Sequence, residues 1–172
     1  TEGHGGTVKI QAGDSNKAAG GLVIISSGAS STGASGAVNI KTPSNTAESN
    51  SGSIGVETGS ATEGPSGSVR LVSGASNAES VASGAISLAA GSSSSESSAG
   101  GDVKISAGDA TDGNGGSLSL ASGSSVSGSS GSVTLSTGPS SSGSSGKLTL
   151  QTGDAFDDAS GDVSIKSGKS EN

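Results

Sequence analysis

Four carboxylates, Asp154, Asp157, Asp158 and Asp162, stand within nine residues and form the densest group of oxygen ligands in the chain. Calcium takes roughly six to eight oxygens, so this cluster is the candidate for a single weak calcium site, with a solvated acidic loop as its ordinary alternative. Nucleophilic catalysis has far less to work with. A serine hydrolase needs a base beside an activated hydroxyl, and the chain offers 44 serines but one histidine, His4, in a Gly-rich terminal stretch. Thiol chemistry and thiolate metal sites are excluded because there is no Cys. Gly-Gly pairs such as Gly115-Gly116 are not followed by Gly-Lys-Ser/Thr, as a phosphate loop requires. No catalytic residue, cofactor-binding residue or cofactor is therefore expected, and the serines read as turn and ladder hydrogen-bond formers.

Charge narrows the partners. The 8 basic residues face 15 acidic ones, for a formal charge of −7, which disfavours nucleic acid because binding there rests on Lys and Arg neutralising phosphates. No run approaches the ~20 apolar residues of a membrane helix, so no membrane insertion is expected.

The 172 residues are positioned by a repeat. Ser and Gly together make about 44% of the chain, a composition that alone would read as a flexible linker. Order says otherwise. The motif Gly-x-Val-x-Ile/Leu-x-(Ser/Thr/Ala)-Gly recurs eleven times, with leading glycines Gly6, Gly21, Gly36, Gly52, Gly67, Gly84, Gly101, Gly116, Gly131, Gly146 and Gly161. Successive copies are 15 to 17 residues apart, and a closing glycine ends each motif except the third, where Pro43 takes its place. Of the 27 Val, Ile and Leu residues, 22 occupy the two apolar positions of the motif, for example Val8/Ile10, Val103/Ile105 and Leu118/Leu120. A disordered linker has no reason to ration apolar residues in this way.

An apolar pair at i and i+2 shares one face of a β-strand and does not share a helical face. A single strand of about five residues cannot bury that face alone, so the copies are expected to stack. The predicted fold is all-β: one repeat domain over 1–172, a parallel β-solenoid of eleven ~15-residue coils. Its thin core would set a Val/Ile/Leu ladder against a return segment of Gly, Ser and Ala. The residue before each leading glycine is only Gly or Ser in all eleven copies, which suggests a tightly packed position there. The glycines themselves are read as residues able to take φ > 0. Phe156 and Val126 share one place in their coils, and half burial near the return turn is favoured over an exposed patch.

Outward strand positions hold Lys9, Lys41, Arg70, Lys104, Lys147 and Lys166, whereas the turns hold acidic residues such as Asp14, Glu48, Glu63, Glu79, Glu96, Asp109 and Asp112. Solubility explains this pattern most simply, and contact with a polymer or surface is the functional alternative. Lys104, Ser119, Ala121, Thr134, Ser136 and Thr149 form the candidate outward contact face.

In period and composition the chain resembles Gly/Ser-rich β-solenoid repeat proteins, both secreted surface or adhesive repeats and solenoidal antifreeze proteins. The stretch from Asp109 to Leu118 is similar to one Gly/Asp-rich unit of the calcium-binding β-rolls, but most other copies carry Ser where Asp would have to recur. The repeat, the lack of a catalytic constellation and the uneven outward surface point to a non-catalytic structural or spacer module of an extracellular or cell-surface protein. Ice binding and glycan or surface adhesion are the alternatives. The first residues start within a motif, so the chain reads as part of a longer array. Expected partners are the chain itself, stacked end to end through uncapped strand edges, or flanking repeats.

Overall fold

The computed structural model describes residues 3–46, 49–79, 81–95 and 98–170. Glu48 and Glu96, two of the acidic turn residues named above, lie outside the described residues. The chain divides into two units, Thr1–Ser87 and Leu88–Asn172, and the repeat continues through both.

Within each unit the repeat is visible as an alternation. Each motif, from leading to closing position, runs without a bend, as in 21–28 and 116–123. The residues that follow turn sharply at a fixed place, three to five residues past the closing glycine, at 16–18, 31–33 and 62–64 in the first unit and at 111–113, 126–128, 141–143 and 156–158 in the second. In four of these turns a serine two residues past the closing glycine bonds the backbone, while Ala61, Ala110 and Ala155 hold the same place in the bends at 62–64, 111–113 and 156–158. The serine hydroxyl oxygen accepts from the backbone N–H three residues on, Ser15 from Ala18 at 3.0 Å, Ser30 from Gly33 at 2.9 Å, Ser125 from Gly128 at 2.9 Å and Ser140 from Gly143 at 3.1 Å. A short hydroxyl side chain offers the backbone a local partner that no apolar residue could, and this stabilises a turn.

The loop then closes on itself. The N–H of Gly21 donates to the carbonyl of Gly13 at 2.9 Å, and the same bond joins Gly36 to Gly28, Gly101 to Gly91, Gly116 to Gly108 and Gly131 to Gly123, each at 2.9 Å. The longer loop between Gly74 and Gly84 closes in the same way at 3.3 Å. Each such loop has its ends together and its middle outside, the form of an Ω-loop.

This geometry overturns the expected solenoid. Among the described residues there is no helix and no β-strand, hence no ladder, no sheet and no stack of eleven coils. In a solenoid the start of one segment would lie over the start of the previous one, Gly21 over Gly6. Instead Gly21 is bonded to Gly13, the previous segment's end, so the loop returns to its own mouth and does not carry the chain round to lay copy upon copy. The thin core is corrected with it. No described residue is buried, and the described residues offer no feature that supports an extracellular or adhesive role.

Glycine works differently from expectation as well. No described glycine lies in the left-handed φ region, so backbone handedness does not explain the motif. Close approach requires glycine at Gly21, Gly36, Gly52, Gly84, Gly101, Gly116 and Gly131, though not at Gly6, Gly146 or Gly161. A Cβ on Gly21 would stand 3.0 Å from the Cβ of Ala12 and 3.1 Å from the backbone N of Gly13.

Candidate interaction surface

With no buried residue among those described, the side chains available for function are those of the unbent segments and the loop tips. The apolar pairs dominate. After the first copy, the first member of every pair is less exposed than the second, as with Val23 at 46% and Ile25 at 68%. The preceding loop mouth sits two residues before that first member and shades it. In copy one the order is reversed, with Val8 88% exposed, more than Ile10.

Described residues leave full exposure mainly at the loop mouths. Ala12, Thr42, Ser73 and Thr152, each immediately before the closing position, are half-buried, and Ser76 is the fifth such residue. Ser76 belongs to a longer loop and donates its N–H to the Ser83 hydroxyl oxygen at 3.1 Å. The residue before the closing position also decides whether the mouth shuts. Where it is Ala or Ser, at Ala12, Ser27, Ser73, Ala90, Ala107 and Ser122, the Gly–Gly backbone bond forms. Where it is Thr, at Thr42, Thr58, Thr137 and Thr152, no such bond forms among the described residues. The cause is the extra methyl. The space over Gly52 and Gly161 is met first by the Cγ2 of Thr42 and Thr152, at 3.2 and 3.7 Å from an added Cβ, and Cγ2 also stands over Gly67 and Gly146. Thr58 partly compensates, its hydroxyl donating to the carbonyl of Gly67 at 3.2 Å. This division was missed from the sequence, although its signal was there in the Ala/Ser versus Thr choice one residue before the closing glycine.

The calcium candidate does not assemble. Asp154, Asp157, Asp158 and Asp162 lie in and after one loop, but among the described residues no group of three or more His, Asp or Glu side chains is gathered as a metal would need. Asp158 turns its Oδ1 back onto the N–H of Ala159 at 2.7 Å, a local turn bond. Phe156, in the bend of the same loop, is 97% exposed, and Val126 is fully exposed in the equivalent bend, so the favoured half burial is corrected to full exposure.

Lys104, Ser119, Ala121, Thr134, Ser136 and Thr149 are all exposed, on four consecutive segments of the second unit, and they alternate with the apolar pairs. Lys104 Nζ lies 3.4 Å from Asp102 Oδ2 on the same segment, with both side chains in solvent. Such a pair contributes little to stability. No enclosed pocket or cleft is present among the described residues. Comparison with family models, with curated proteins and with solved structures finds no match. Among the described residues no helix is long and apolar enough to cross a membrane.

Proposed function

We propose that this chain is a non-catalytic structural or spacer module. One observation carries the reading: a near-constant unit is repeated eleven times, and among the described residues six of its loops return and are pinched by the same bond between the leading and closing glycine positions. Repetition of a mechanical feature, with no residue singled out in any one copy, suits a part whose property scales with the number of copies. Placement outside the cell or at a cell surface belongs to this proposal and rests on the Gly/Ser-rich composition. The ice-binding and adhesive alternatives call for a flat, rigid outward array, and the described residues hold no sheet that would keep the outward side chains in one plane.

The test is copy number. Chains lacking one unit (131–145) or two (116–145) are placed between two reporter domains, and the separation of the reporters is measured. Equal decrements per unit removed are expected. A separation insensitive to copy number, or a binding or catalytic property lost all at once with one particular unit, overturns the reading.

A further inference from the structure

We infer that this chain associates side by side with a second copy of itself, the apolar pairs of one copy set against those of the other. This inference does not rest on the spacer reading.

The surface area makes the first case. The chain exposes 17133 Å². A compact protein of 15.7 kDa exposes about 7,300 Å², so roughly 10,000 Å² remains that a folded chain would have covered. A stable pair of proteins needs only about 800 Å² per partner. The uncovered surface is also the apolar one: all 22 residues of the motif pairs are exposed, although their spacing places each pair on one face of its segment.

The backbone makes the second. Folded proteins form about one internal hydrogen bond per residue. Here the described backbone makes seven bonds to itself, six at loop mouths and one inside a loop, from Ser98 to Ser95. The segments contribute none among the described residues beyond those at their end glycines. Their N–H and C=O groups are thus available along both edges, in the very stretches that carry the apolar pairs.

A third observation concerns the closing glycines. Gly13, Gly28, Gly108, Gly123 and Gly138 have nothing within 4 Å of an added Cβ and no left-handed φ, so this chain by itself has no use for glycine there. The position is nevertheless glycine in ten copies of eleven. Close approach of another chain supplies the missing reason.

Identity of the occupant follows from the pitch. Only a molecule with the same irregular 15-to-17-residue spacing can set an apolar pair against an apolar pair in copy after copy, and a second copy of this chain has that spacing automatically. Contact is lateral, along the segments. The end-to-end stacking expected from sequence used coil edges that the described residues do not form.

The experiment is sedimentation equilibrium of the full chain from micromolar to millimolar concentration, beside amide hydrogen exchange. The expected mass is twice the 15.7 kDa of one chain, with segment amides such as those of Leu118 and Leu120 strongly protected. Leu118→Ser with Leu120→Ser is expected to lower the dimer's association constant at least a hundredfold, while Ser141→Asp, in an exposed loop bend, leaves it within twofold. A single-chain mass for the unsubstituted protein at every concentration overturns the inference, and so does a dimer indifferent to the Leu118/Leu120 substitutions or one whose segment amides exchange freely.

Discussion

At the scale of single residues, the controlling choice is one methyl group. Thr137 and Ser122 occupy equivalent places, yet the mouth behind Ser122 is closed by the Gly131–Gly123 bond and the mouth behind Thr137 is not. Thr137→Ser should therefore let the N–H of Gly146 reach the carbonyl of Gly138, a gain of about 1 kcal/mol, read as roughly fivefold slower exchange of the Gly146 amide. Glycine gives the converse. Gly21→Ala sets a Cβ against the backbone of Gly13 and should lengthen the 2.9 Å bond, speeding exchange of the residue-21 amide by about tenfold, or about 1.4 kcal/mol. In a single chain Gly28→Ala, with open space around it, should leave the loop unaffected; in the assembly it should weaken association by blocking the neighbour. The importance of both glycine positions was legible in the sequence, but the reason was not, because letters record that glycine recurs and not whether φ or a nearby atom demands it.

At the scale of elements, the loops and segments obey different rules of length. The loops from Gly74 to Gly84 and from Gly91 to Gly101 hold two residues more than their neighbours and still close with the same bond, so added length is taken up beyond the mouth. Two serines inserted after Ser127 should consequently leave association and the Gly131 amide unchanged in sedimentation and exchange. One residue inserted between Leu118 and Leu120 should be far more damaging, since a shift of one turns every following side chain of that segment to the other face, with an expected loss in association of at least tenfold. Segment, loop and their boundaries were all legible from the spacing of the glycine and apolar positions taken together, as in Gly21, Val23, Ile25 and Gly28. Pairing was not. A period of two states that Val23 and Ile25 share a face, and it does not state which chain covers them; the solenoid followed from assuming that the cover must come from the next copy in the same chain. The calcium reading failed for a related reason, since nearness of Asp154, Asp157, Asp158 and Asp162 in sequence does not aim their oxygens at one point.

At the scale of the whole molecule, charge and repetition act together. Chains of −7 each repel when brought side by side, while the apolar pairs draw them together, so association should strengthen as salt screens the repulsion. Raising salt from low to physiological strength should move the sedimentation midpoint to lower concentration, and a shift the other way would show that ion pairs between chains dominate. Each pinched mouth has one more consequence, for a chain pulled from its ends. The seven residues between Gly13 and Gly21 add nothing to the end-to-end distance while the bond holds, and about 25 Å of contour is released when it breaks. Tension would draw first on the loops behind Thr137 and Thr152, which have no bond across the mouth among the described residues, and only afterwards, at higher force and in discrete steps, on the loops behind Ala and Ser. A chain pulled in this way would lengthen in graded steps, its slack held in reserve at intervals and its yield force set by a single side chain per interval.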